Sequence, residues 1–219
     1  MMTMATARTG GWIACAACLL AVAPAARAGE VFDPPRLLRG AAPRLDPRSV
    51  GGGLVLLDVG VNDEGSVADL RTLVPADPYT QALRRAVEQF RFRPARAGDE
   101  AREARVLVAG LFRPPSLHAV GSFDAPPPSP EVLVAWPIAI MPPVYPVTAR
   151  GDATVIVALR LDHEGLPVSA AVIEGAPGFD AAAVAAARVW RFSVPGSQAA
   201  SAVIAFVFRE PADHGPPPR

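Results

Sequence analysis

Histidines, cysteines and clustered acids are the residues of this chain with the potential for chemistry, and their spacing decides whether they use it. The chain has 3 His, at positions 118, 163 and 214. An imidazole can ligate a metal or shuttle a proton, but a metal centre needs further ligands at fixed short spacings. None of the three histidines has such a partner. Asp162-His163-Glu164 gathers three ligand-type side chains, yet Gly165 follows at once and marks a hairpin turn, where polar residues collect for their tolerance of turn dihedrals. Asn62-Asp63-Glu64-Gly65 is the same kind of turn and far shorter than a calcium loop of about 12 residues. No Ser and His form a nucleophile–base motif, and no glycine-rich loop follows a strand to cradle phosphate. The 2 Cys are Cys15 and Cys18. Both fall in a removable N-terminal segment, which leaves no disulfide, thiolate nucleophile or Cys-ligated zinc. The residues predict a protein that is not an enzyme, with no catalytic residue, no metal and no cofactor.

Composition narrows the class further. Hydrophobic residues make up 51% of the 219-residue chain, enough for a real core, while 25 Pro and 18 Gly interrupt the pattern often. Short strands, turns and linkers fit this better than long helices. The basic and acidic residues balance at 21 each and every basic residue is Arg, so no electrostatic footprint for nucleic acid is visible. The arginines between Arg84 and Arg113 alternate with Glu88, Asp99, Glu100 and Glu103 and read as a solvated face.

The N-terminus has its own character. Arg8 is the single charged side chain before an almost wholly apolar run from Trp12 to Pro24. That run is too short to span ~30 Å of hydrocarbon comfortably. Ala26-Arg27-Ala28 follows as a small-x-small cleavage pattern. Residues 1–28 therefore read as a secretory signal peptide and predict a periplasmic location, with an uncleaved inner-membrane anchor as the alternative.

The rest of the chain repeats itself. Leu54-Val-Leu-Leu-Asp-Val-Gly-Val-Asn-Asp-Glu-Gly65 aligns with Thr154-Val-Ile-Val-Ala-Leu-Arg-Leu-Asp-His-Glu-Gly165, one hundred residues on. Tyr79, Leu83, Val87 and Phe90-Arg91-Phe92 align with Phe179, Ala183, Ala187 and Trp190-Arg191-Phe192 at that offset. Val106–Arg113 aligns with Ala202–Arg209. Val55, Leu57, Val59 and Val61, like Val155, Val157, Leu159 and Leu161, alternate with their neighbours and predict half-buried strands. Gly65 and Gly165 predict hairpin turns. Returning strands are expected at Val67–Val74 and Val168–Glu174, with Leu166-Pro167 adding one residue in the second copy. The stripe at i, i+4, i+8 and i+11 predicts a helix in each copy, the first capped by Asp77 with Pro78 in its first turn. Arg91 and Arg191 are placed to answer the negative end of their helices. Closing strands follow at Arg105–Phe112 and Ala202–Phe208. Val203, Ala205 and Val207 alternate with Phe206 and Phe208, so the second closing strand is apolar on both sides and must be covered.

Tyr145-Pro146, Ala149-Arg150, the turn at Gly165, Phe179-Asp180 and Trp190-Arg191-Phe192 come in an order that resembles the C-terminal domain of TonB-type energy transducers. The first copy resembles a diverged version, ending Phe90-Arg-Phe-Arg-Pro94. The resemblance covers about 70 residues of the second copy and 60 of the first. It implies a non-enzymatic domain that grips a peptide of an outer-membrane transporter by adding it to a sheet edge. By that resemblance the gripping strand is the last one, at Ala202, Val203, Ile204, Ala205, Phe206, Val207 and Phe208. The tandem arrangement, the short stretch before the first copy and Val194 inserted before Pro195 depart from the family. They give rise to the alternative of a soluble envelope scaffold or adaptor whose two domains serve protein–protein pairing without energy transduction.

The expected organisation is an α+β chain of two tandem β-β-α-β units. A signal peptide occupies 1–28, an extension 29–50 and a first domain 51–115. A Pro-rich linker at 116–131 leads to a second domain at 132–211 and a disordered tail at 212–219. The expected partner is a protein, either a transporter peptide or another envelope protein, with a homo-oligomer as a further option. Nucleic acid and small-molecule cofactors are not expected.

Overall fold

The structure is a computed structural model that describes residues 32–46, 48–49, 51–114, 132–196 and 199–212. The segment read as a signal peptide, the whole of the linker expected at 116–131 and the tail beyond residue 212 lie outside the described residues. Mixed α and β structure fills the rest. In chain order it comprises β1 (Phe32–Asp33), β2 (Arg36–Arg39), β3 (Gly53–Val61), β4 (Val67–Val74) and α1 (Tyr79–Val87). After these come β5 (Arg91–Arg93), β6 (Ala95–Ala97), β7 (Glu100–Arg102) and β8 (Ala104–Phe112). The later part holds β9 (Trp136–Ala139), β10 (Ala153–Leu161), β11 (Pro167–Glu174), α2 (Asp180–Val189), β12 (Arg191–Ser193) and β13 (Ala200–Phe208).

Six long strands form one sheet in the order β11-β10-β13-β8-β3-β4. The hairpins close as the sequence predicts. Asn62 Oδ1 accepts the Ser66 N–H at 2.7 Å, and Asp162 Oδ1 accepts the Leu166 N–H at 2.9 Å. Gly65 and Gly165 adopt φ of +82° and +79°. A Cβ at either would lie 1.9 or 1.8 Å from the carbonyl oxygen of Phe92 or Phe192. Only glycine fits, both for its dihedral and for the close backbone approach.

Register corrects one expectation. Val61 pairs with Val67 and Leu161 with Pro167, and Val59 pairs with Leu70 as Leu159 does with Ala170. The two hairpins keep the hundred-residue offset throughout, so Leu166-Pro167 adds no residue; Pro167 simply opens the strand. Each returning strand instead carries an irregularity at the same two places, beside Leu56/Leu57 and Gly60/Val61 and beside Ile156/Val157 and Arg160/Leu161.

Both helices bury the stripe read from the sequence: Tyr79, Leu83, Val87 and Phe90 in one, Phe179, Ala183, Ala187 and Trp190 in the other. Asp77 makes no side-chain cap on α1. The Thr80 hydroxyl accepts the Ala76 N–H at 2.9 Å instead, and the Asp180 carboxylate accepts the Ala176 N–H at 2.8 Å. Arg91 and Arg191 each donate to the carbonyl before them, at 2.8 and 2.9 Å.

The sheet is covered on both faces. On one, α1 packs with Val55, Leu57, Val59 and Val61, together with Val203, Ala205 and Ile156. On the other, α2 packs with Val155, Val157, Leu159 and Leu161, together with Ile204, Phe206, Leu107 and Leu56. The two helices therefore sit on opposite faces. Leu37 joins the α1 side and Val134, Ala135 and Trp136 join the α2 side, where no expectation had placed regular structure. Their short strands pair with the segment after a helix, β2 with β5 and β9 with β12.

Candidate protein-binding interface

The closing strand that the resemblance nominates for peptide capture is not an edge. Residues 201–208 are all buried. On one side β13 pairs antiparallel with β10 along its whole length, from Ala153↔Phe208 to Leu161↔Ala200. On the other it pairs parallel with β8, from Ala202↔Leu107 to Val207↔Phe112. Ala202, Val203, Ile204, Ala205, Phe206 and Val207 thus have no unpaired side to offer a guest backbone, Phe208 is buried and paired with Ala153, and the expectation of a gripping strand there is corrected. The physical reason lies in the side chains already noted. A strand apolar on both faces gains most at the centre of a sheet, and two such closing strands satisfy each other.

The residues of the second copy's sequence motif come together as packing. Tyr145 stacks edge-on against Phe179 and Phe208, at ring separations of 5.4 and 6.5 Å. Its hydroxyl donates to the Gly151 carbonyl at 2.9 Å, and burial holds its pKa above the ordinary tyrosine value. Ala149 is buried, and Arg150 caps the Val147 and Ala149 carbonyls. Trp190 is fully buried, donates from its indole N–H to the Met141 carbonyl at 2.9 Å, and lies against Phe192 and Phe206. Pro146 accepts the Ala149 N–H, Gly165 accepts the Phe192 N–H, and Arg191 caps the helix end. These groups position the helix and its flanking strand.

The arginines between 84 and 113 are not one solvated face. Arg113 is buried and donates to the Pro143 carbonyl at 2.6 Å; burial lowers its pKa below the usual guanidinium value. Arg105 bridges two acids, with Nε on buried Asp58 at 2.6 Å and Nη2 on Asp69 at 2.9 Å. Burial works against the Arg105 charge, but the hydrogen bonds to Asp58 and Asp69 outweigh it and raise its pKa. The same hydrogen bond from Arg105 lowers the pKa of Asp69.

With the centre filled, the free backbone lies at the two ends of the sheet. Among the described residues β4 pairs only with β3, and β11 only with β10. The turns fix which groups point outward. The Asn62 and Asp162 N–H groups each donate across the hairpin at 3.0 Å. By antiparallel alternation, even-numbered residues of β3 and β10 then bond to the returning strand. Leu70 and Thr72, opposite odd-numbered Val59 and Leu57, consequently turn their backbone groups outward, as do Ala170 and Val172 opposite Leu159 and Val157. Arg84 confirms the geometry at the first edge by donating to the Leu70 carbonyl at 3.2 Å and the Thr72 hydroxyl at 3.1 Å. Sequence reasoning missed both edges, because it assigned the edge to the closing strand.

Among the described residues no group of three or more His, Cys, Asp or Glu is placed to hold a metal ion. His163 is exposed, 4.0 Å from Glu164, while His118 and His214 lie outside the described residues. A hollow of about 750 Å³ between residues 41–44 and α1 is lined by Ala41, Pro43, Arg44, Ala82, Arg85 and Gln89, none of them an acid or a nucleophile. Among the described residues no helix is long and apolar enough to cross a membrane. Comparison with family models, curated proteins and solved structures gave no match.

Proposed function

We propose that the chain is a non-enzymatic scaffold or adaptor of the bacterial envelope. On this reading it is built from two TonB C-terminal-like β-β-α-β units, at 51–115 and 132–211, and binds a protein by strand addition at an outer edge of the shared sheet. One observation carries the reading: the parallel pairing of Ala202–Val207 with Leu107–Phe112, in which the units spend their closing strands on each other. Among the described residues, the six-stranded sheet then leaves strand capture to its end strands, β4 and β11. The outward backbone of β11 is the less protected of the two, and its exposed Val168 offers a side-chain anchor beside it. Coupling to outer-membrane transport is the extension that the resemblance implies, and the balanced role of the two closing strands favours the scaffold over it. Export through residues 1–28 places the protein in the periplasm in this scheme.

A photo-crosslinking side chain at Val168, 62% exposed, is compared in intact cells with one at Leu38, 64% exposed. Periplasmic protein adducts from Val168, none from Leu38, and their loss on adding Ala170→Pro are the expected outcome, since proline removes an outward N–H. Cytoplasmic retention, or the absence of any protein adduct at Val168, contradicts the proposal.

A further inference from the structure

The two outer strands share length and register but differ in the charge and cover along their edges. β4 carries Asp69 and Arg71, and Arg84 of α1 sits on its outward Leu70 carbonyl. The positions one hundred residues further on hold Ser169, Ala171 and Val184. No charged side chain occurs from Pro167 to Ile173, and no arginine can reach from position 184. Three exposed valines border this bare edge: Val168 at 62%, Val172 at 36% and Val189, on the helix packed along β11, at 48%. Their first-half counterparts are Ala68, Thr72 and Gln89. An edge strand whose first seven residues, Pro167–Ile173, carry no charge and are rimmed by apolar side chains is what soluble proteins avoid leaving exposed.

We infer that β11 is an interface between two copies of this chain, paired antiparallel about a two-fold axis through Ala171. The inference rests on the edge-binding reading above and names its partner. Self-pairing fits because the outward residues stand at matching distances from the axis. Ala170 meets Val172 of the second copy, and Val172 meets its Ala170, so the two outward residues of each strand supply four hydrogen bonds. Ala171 then faces its own copy at a non-hydrogen-bonded position, where two small side chains fit closely. Without charge between 167 and 173, the two-fold opposes no like charges. The same operation on β4 would set Arg71 against Arg71 and displace Arg84.

The test uses the full chain as purified from cells, measured by light scattering over a concentration series. A mass of twice the chain at the upper concentrations is expected, with loss of the dimer in Val172→Lys and in Ala171→Arg. Circular dichroism, and melting temperatures matching the parent's at concentrations low enough for the parent to be monomeric, establish that the variants fold. Ala171→Cys should form a disulfide-linked dimer on mild oxidation, whereas Arg71→Cys should not; the parent chain controls for Cys15 and Cys18. A monomer at every concentration, or a dimer that survives both charge variants, overturns the inference. A monomer whose Val168 still crosslinks to a different envelope protein overturns only the second copy as occupant and leaves the edge-binding reading intact.

Discussion

Val203 lies directly beside Val108 at the centre of the sheet, in two strands that run the same way. Both are buried, and each of their strands pairs on its far side with an antiparallel neighbour, β10 for β13 and β3 for β8. Parallel strands of this kind need cover on both faces. Here α1 supplies it on one side and α2 on the other, because the helix-bearing face of the first hairpin continues into the helix-free face of the second. Neither half of the sheet is complete alone.

Ile204→Pro follows from that position. Proline removes a ladder N–H and leaves a carbonyl on a neighbouring strand unpaired in the interior, at a cost of about 1–3 kcal/mol before any steric clash. Loss of structure in both halves together is expected by far-UV circular dichroism. A folded variant with only its partner binding impaired would contradict the central placement of this strand.

Gly165→Ala should destabilise the fold by about 2 kcal/mol or more, through the left-handed dihedral and the Phe192 carbonyl that the new methyl would meet. Gly65→Ala should behave alike, since Phe92 stands in the same relation to it. Urea midpoints check both. A change within about 0.5 kcal/mol, the range of ordinary surface substitutions, would be inconsistent with the turn geometry.

Arg105→Ala should cost about 2–3 kcal/mol, because it strands the buried Asp58 carboxylate without its cation. Arg105 also lowers the pKa of Asp69 in the folded state. A depressed carboxylate stabilises the fold above its unfolded pKa of about 3.9, and that contribution fades as pH falls through the lower folded value. Wild type and Asp69→Asn should thus differ in stability at neutral pH and converge in acid. Curves that run parallel from neutral pH into acid would show that the pair contributes nothing.

Trp190→Ala should lose about 3–5 kcal/mol, as a fully buried ring on Phe192 and Phe206 is removed together with its hydrogen bond to Met141. Intrinsic fluorescence and thermal melting measure it. Near-wild-type stability would mean the ring is a contact surface and not core.

What could be read beforehand was local. The alternation from Val55 to Val61 and from Val155 to Leu161, the glycine turns and the helical stripes all have periods that identify an element and its buried face. The partner of a strand has no such signature. Val203, Ala205 and Val207 announce that something covers them, but the same side chains would suit a guest peptide, a second subunit or β8. Arg36–Arg39 and Trp136–Ala139 went unread because neither alternates and Pro137 argues against a strand. The motif residues Tyr145, Trp190 and Phe192 were legible as a set, and their packing accounts for them; the edge chemistry of Arg84 and Val184 was not, since it depends on which strand ends the sheet.

Amide hydrogen exchange of Ala202 to Val207 tests the central arrangement most directly. With β10 on one side and β8 on the other, all six amides should be among the slowest in the chain. If every second amide instead exchanged at the rate of exposed backbone, one side of the strand would be free and the arrangement wrong.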